Sequence, residues 1–327
     1  MLFLQPQFGF LSLRADPSLR GAVMGSEKYC YRAWRHPPML SWKISRNRIT
    51  DVGDLDTGFI ESRTMEAMKL FLSLLFVNLY CHESASQAQS KAVQGYDCSN
   101  VWERNNFATS GIYMIQPRNA QCSFQVYCEM TGNGGWTLIQ KHNGEDDLDF
   151  FATWKQYQNG FGRLQGEHWL GLEHIYALTH QTQRPSKLHI ILGDFDGNEA
   201  YAEYRSFSIG EANKFYKLSA ANYSGTAGDG FLGLPNIAGS NQHGSYFSTW
   251  DNYHDKCHPV CGTTDIKYQS CSDQYQAGWW FNACGLANLN GVWHAAPRHR
   301  YRSTSVSWSS WKFSESLKSS KMFLIHH

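Results

Sequence analysis

Cysteine is the residue type with the most chemistry to offer in this sequence. Seven of the nine cysteines follow Ala88, and four of those seven fall in one stretch near the C-terminus: Cys257, Cys261, Cys271 and Cys284. Cys257 and Cys261 form a C-x3-C pair flanked by His254 and His258. That pattern allows either a disulfide or a zinc site, and only the redox compartment decides between them. Cys271 and Cys284 bracket Trp279 and Trp280. A disulfide there staples a loop too short to bury a core of its own, with the indoles supplying buried area beneath it.

Catalytic patterns are absent. The sequence has no G-x-S-x-G elbow, no H-E-x-x-H helix and no Walker loop, and GFGRLQG has the wrong spacing for a dinucleotide fold. DFDGN at 194–198 lacks the later acidic positions of an EF-hand and reads as a tight turn. The fourteen histidines are dispersed, and His326 and His327 read as a strand end rather than a metal clamp. Asn222, Tyr223 and Ser224 form a glycosylation sequon.

The compartment is indicated by the run LFLSLLFVNLY, Leu70 to Tyr80, which follows Lys69 and precedes small and polar residues. It is about half the length of a membrane span, and Ser86 and Ala88 give a small-x-small cleavage pattern. Residues 65–88 are therefore expected to be a signal peptide, with translation starting at Met65 or Met68. Residues 1–64 are then an extension of the gene model or disordered. A secreted, extracellular chain follows, and with it disulfides in preference to zinc.

The elements that must position these residues belong to one large domain. After a linker at 89–95, residues 96–327 run without a low-complexity break, a heptad run or a Gly-X-Y tract. In the 327-residue chain 42% of residues are hydrophobic and 15% aromatic, which excludes wholesale disorder. Its net charge of +1 provides no field for a nucleic acid or an anionic membrane. FQVYCEM (124–130), GWTLIQKH (135–142) and KLHIILGDF (187–195) alternate as strands of an antiparallel sheet. A helix is expected over Gly166 to His180, with Glu167 near its start. Beyond Asn236 periodicity fades, so cysteine is expected to hold the loops together.

The ordered series YDCSNVW, GIYMIQP, FQVYCEM, GGWTLIQKHNG and CSDQYQAGWWFNACGLANLNG resembles the fibrinogen C-terminal domain from Tyr96 to His327. YSGTAGD at 223–229 is similar to fibrinogen-like proteins, and WWFNACGLANLNGVW to angiopoietins and angiopoietin-like proteins. The resemblance implies an α+β fold with a small N-terminal subdomain, a central antiparallel sheet and a loop-rich C-terminal subdomain bearing ligand sites. It also implies pairing of Cys98 with Cys128 and of Cys271 with Cys284. Pairing Cys257 with Cys261 as well leaves Cys122 over, as a free buried thiol or an intermolecular bridge. An insertion before Cys271 leaves both Cys261 and Cys271 as partners for Cys284.

Family members bind calcium in the loop after STWD, which here reads STWDNYHDKC. Asp251 and Asp255 are its carboxylates, but Tyr253 replaces the first acid of the ligand pair, so calcium is an open expectation. In the family's recognition pocket Tyr275 and Gly285 replace an acid and a histidine, which argues against fibrin-knob binding. The resemblance implies a secreted, non-enzymatic recognition protein for an extracellular protein or receptor. Its binding surface is expected around Tyr275, Phe281, Leu286 and Trp293, unless these aromatic and aliphatic residues are core. The alternative is a lectin-like innate-defence binder of acetylated glycans.

Overall fold

In the computed structural model the described residues are 92–236, 238–257, 261–262, 267–298 and 304–326. The expected signal peptide and the extension before it lie outside this set, as do residues 89–91 of the linker, His258 and His327.

Chain order begins with a short helix α1 (Cys98–Arg104) and strands β1 (Gly111–Ile115), β2 (Phe124–Thr131) and β3 (Gly134–His142). Helix α2 (Trp154–Asn159), the two-residue strands β4 (Phe161–Gly162) and β5 (His168–Trp169), and helix α3 (Leu172–Thr179) follow. Next come β6 (Ser186–Gly193), β7 (Glu199–Ile209) and β8 (Leu218–Gly225). The C-terminal part holds β9 (Cys261–Gly262), β10 (Lys267–Tyr268), helix α4 (Cys271–Gln274), β11 (Ala287–Asn288), β12 (Ser307–Trp308) and β13 (Ser319–His326).

The main sheet runs β1-β2-β3-β13-β6-β7-β8, with antiparallel neighbours throughout. The three strands expected from alternation are β2, β3 and β6. Strand β13 joins two otherwise separate meanders, pairing Met322 with Gln140 on one side and Ile190 on the other. Phe323 and Leu324, which point to opposite faces, are both buried, as befits a central strand covered on both sides. His326 closes this strand, as its sequence position suggested, and is buried against the Leu178 carbonyl.

The helix expected from Gly166 starts later, at Leu172. Its N-cap is Gly171 at φ +108°, a backbone state open to glycine, and His168 and Trp169 before it pair with β3. Leu172, Ile175 and Leu178 still form its buried face. Helix α2 begins with a capping box, in which Thr153 and Gln156 each satisfy the other's backbone N–H. Tyr157, on this helix, sits in an aromatic core with Trp169, Phe247 and Phe161.

Candidate functional site

The loop-rich part beyond Asn236 is held together as much by buried amide side chains as by sulfur. Gln140 of β3 donates to the Leu289 carbonyl at 2.8 Å, and Gln242 donates to Ala287 O at 3.0 Å while accepting from Ala287 N. Asn290 donates to Gly278 O, and the Trp280 indole donates to Tyr216 O at 2.8 Å. The Tyr157 hydroxyl donates to Phe150 O and accepts from Gly278 N. These bonds tie stretches of irregular chain to one another and to β3, β11 and α2 in a buried interior, where an unpaired partner would be costly. The sequence contains these amides but no periodicity that marks them.

Glu167 is a second buried support. Its side chain has no exposed surface and accepts from the backbone N–H groups of Asn143, Gly144, Asp146 and Leu148, with His142 Nδ1 2.7 Å away. Burial pushes its carboxyl up, but hydrogen bonds from His142 and the loop amides outweigh burial and hold it down at about 2. His142 Nε2 faces the Gly291 carbonyl at 2.9 Å, so the central sheet and the C-terminal loop meet through this pair.

The structure pairs Cys98 with Cys128, Cys257 with Cys261, and Cys271 with Cys284, at Cα separations of 5.4, 5.0 and 5.5 Å. Cys122 is half-buried and also disulfide-bonded, which corrects the expectation of a free buried thiol. The peptide between Ala283 and Cys284 is cis. Asp255 spans the two late disulfides: Oδ1 accepts from Cys257 N at 3.0 Å and Oδ2 from Cys271 N at 2.9 Å. Burial raises its carboxyl, and the N–H groups of Cys257, Cys271 and Ser272 offset only part of that rise. Asp251 instead caps α2, accepting from Trp154 N and the Thr249 hydroxyl at 2.8 Å.

The carboxylates at Asp251 and Asp255 thus serve separate structural tasks. Tyr253, between these two carboxylates in the loop, turns outward with 61% of its surface exposed. These side chains do not fit a calcium cradle: a single buried carboxylate with N–H donors on both oxygens is too poor a hard-oxygen set. Among the described residues the one group of three or more metal-capable side chains is Cys257, Cys261, Cys271 and Cys284.

Of the four expected surface residues, Phe281 and Leu286 lie in the interior at 2% and 3% exposure, while Tyr275 and Trp293 are half-buried. Tyr275 stacks on Phe281 at 5.9 Å, and the Trp293 indole donates to Lys318 O. Phe281 and Leu286 are therefore core residues. Surface aromatics collect elsewhere. Phe215, Tyr246, Trp250 and Tyr253 are all exposed. Phe215 stacks on His254 at 3.8 Å and meets Tyr246 edge-on at 5.9 Å, and Trp250 packs beside Phe151. Lys217 lies over the Tyr246 ring. The set comes from two segments, around Phe215 and from Tyr246 to His254, so no single motif announces it.

Asn222 is exposed on β8, the last strand of the sheet order. Asp194 organises DFDGN as a turn, accepting from Asp196 N and Asn198 N. No helix among the described residues is long and apolar enough to cross a membrane.

Comparison with known proteins agrees with this architecture. The C-terminal globular domain of fibrinogen beta and gamma chains matches residues 94–327. Human (Homo sapiens) fibrinogen-like protein 1 is 38% identical over 222 residues, 66% of this chain and 66% of that protein. Human angiopoietin-4 is 39% identical over 232 residues, 70% of this chain and 42% of that protein. The chain therefore spans about two thirds of the first relative and less than half of the second. The solved fibrinogen-like globe domain of human ANGPTL2 is 36% identical with a TM-score of 0.61, covering 70% of this chain and 98% of that one. Lamprey fibrin D-dimer, solved with the peptide Gly-His-Arg-Pro-amide, is 28% identical with a TM-score of 0.63, covering 81% and 88%. The antiparallel sheet ending in a central β13, the disulfide at each end of the domain and these matches together place the chain in the fibrinogen C-terminal domain family.

Proposed function

We propose that this chain is a secreted, non-enzymatic recognition protein that binds an extracellular protein or receptor through its fibrinogen-related domain. In this reading residues 65–88 direct export, 89–95 link, 96–327 form the binding domain, and Asn222 carries a glycan. The observation that carries it is the exposed aromatic set Phe215, Tyr246, Trp250 and Tyr253. Exposed aromatics of this size are costly to leave in water and are the side chains most often found as binding anchors. Half-buried Tyr275 and Trp293 remain candidates for the rim of such a contact. The family relationship supports the reading, since the relatives include an angiopoietin and a fibrinogen-like protein.

The test is calcium-independent binding of the purified full chain to intact cells. Trp250→Ala together with Tyr253→Ala should weaken retention at least about ten-fold. Unchanged binding by the double variant would reject this surface. The lectin-like alternative has no favouring observation, since the expected calcium carboxylates do not form a cradle.

A further inference from the structure

Four sulfur atoms meet at one point of the C-terminal loops. The Sγ atoms of Cys257, Cys261, Cys271 and Cys284 all lie within 4.8 Å of one another. Each sulfur of one disulfide is therefore within a side-chain rotation of both sulfurs of the other. Asp255 reinforces this arrangement, because its two oxygens hold the backbone of Cys257 and of Cys271 side by side. The four cysteines differ in access: Cys257 and Cys271 are fully buried, Cys284 is nearly so, and Cys261 is half-buried. The remaining described pair, Cys98 with Cys128, is buried and separate from this group.

We propose that these four cysteines form a single thiol-exchange site, entered at Cys261 by a small thiol and able to change its disulfide partners without net oxidation or reduction. Exchange proceeds when a thiolate attacks a disulfide sulfur, and access decides which sulfur is attacked. An external thiolate, RS⁻, attacks Cys261 Sγ. The Cys257–Cys261 bond breaks, RS–S(Cys261) forms, and the bonding pair leaves on Cys257 Sγ. The Cys257 thiolate attacks the Cys271–Cys284 bond, joins one of its sulfurs and releases the other as a thiolate. That thiolate attacks Cys261 Sγ, expels RS⁻ and completes the second new bond. Two disulfides enter and two leave, and the thiol is regenerated. The starting pairs close two separate loops, whereas either exchanged set ties the segment of Cys257 to the segment of Cys284.

Trypsin reads the difference directly. Cleavage after Lys256, Lys267 and Arg298 puts Cys257 and Cys261 in peptide 257–267, and Cys271 and Cys284 in peptide 268–298. The starting pairs leave these peptides unlinked; every exchanged pairing joins them. The full-length secreted chain is incubated with reduced glutathione under native conditions, quenched with acid and N-ethylmaleimide, and digested without reduction. Expected are a rise of about ten-fold in the linked 257–267/268–298 species over a thiol-free control and a glutathione adduct on Cys261. The Cys98–Cys128 link should stay intact. Peptides that remain unlinked until general reduction would overturn the proposal, as would an adduct confined to other cysteines. Cys261→Ser provides a second reading, because it leaves Cys257 as a thiol beside the Cys271–Cys284 bond. The linked peptide should then form with no added thiol in material whose near-ultraviolet circular dichroism is native. A thiol retained wholly on Cys257 in that variant would equally reject the site.

Discussion

Glu167 Oε1 lies 2.7 Å from His142 Nδ1, and neither side chain has appreciable contact with solvent. With its carboxyl held at about 2 against an ordinary 4.5, the folded state favours the charged form. The stabilisation is present in full above about pH 4.5 and is lost as pH falls through 4.5 towards 2. A shift of this size corresponds to about 3 kcal/mol. Urea unfolding between pH 7 and pH 3 should show stability dropping on acidification, and Glu167→Gln should both lower the neutral-pH stability and flatten that slope. An unchanged slope in the variant would show that other carboxylates control the acid limb.

Tyr157→Phe removes one hydroxyl that both donates to Phe150 O and accepts from Gly278 N. Phe150 and Gly278 are both buried. The expected loss is roughly 1–3 kcal/mol in urea unfolding, with the aromatic packing of the ring preserved.

These two supports differ in how visible they are in the sequence. Strands β2, β3 and β6 announce themselves by alternation, because one face of each meets the core and the pattern repeats every second residue. Glu167 was legible as a helix-start acid by position alone, and the structure places it in a loop-amide nest instead, because glycine at 171 delays the helix. Phe281 and Leu286 could not be assigned from local pattern, since neither lies in a helix or strand whose period would distinguish inside from outside. Phe215 and Tyr246 meet edge-on from segments about thirty residues apart in the sequence, and only coordinates bring these two exposed rings together.

Calcium removal should leave stability unaffected. Asp251 and Asp255 already serve backbone N–H groups in different places. A ligand that binds the folded state raises its melting temperature, so scans in calcium and in EDTA should agree within about 1 °C. A clear fall in EDTA would return Asp255 to the role of ligand.

Ser224→Ala should abolish any glycan at Asn222 while keeping the exposed asparagine in its left-handed backbone state at φ +58°. The variant expressed in eukaryotic cells should lose one glycan mass by intact mass spectrometry, with stability within about 0.5 kcal/mol of the parent. A parent chain that carries no glycan at Asn222 would refute the assignment.

Strand β13 follows every other described element in chain order yet occupies the middle of the main sheet. During synthesis, β3 and β6 must each wait with an open hydrogen-bonding edge until that segment emerges from the ribosome. Chaperones therefore meet a polypeptide whose two halves cannot yet join, and quality control has a simple signal of completion in the disappearance of both edges at once.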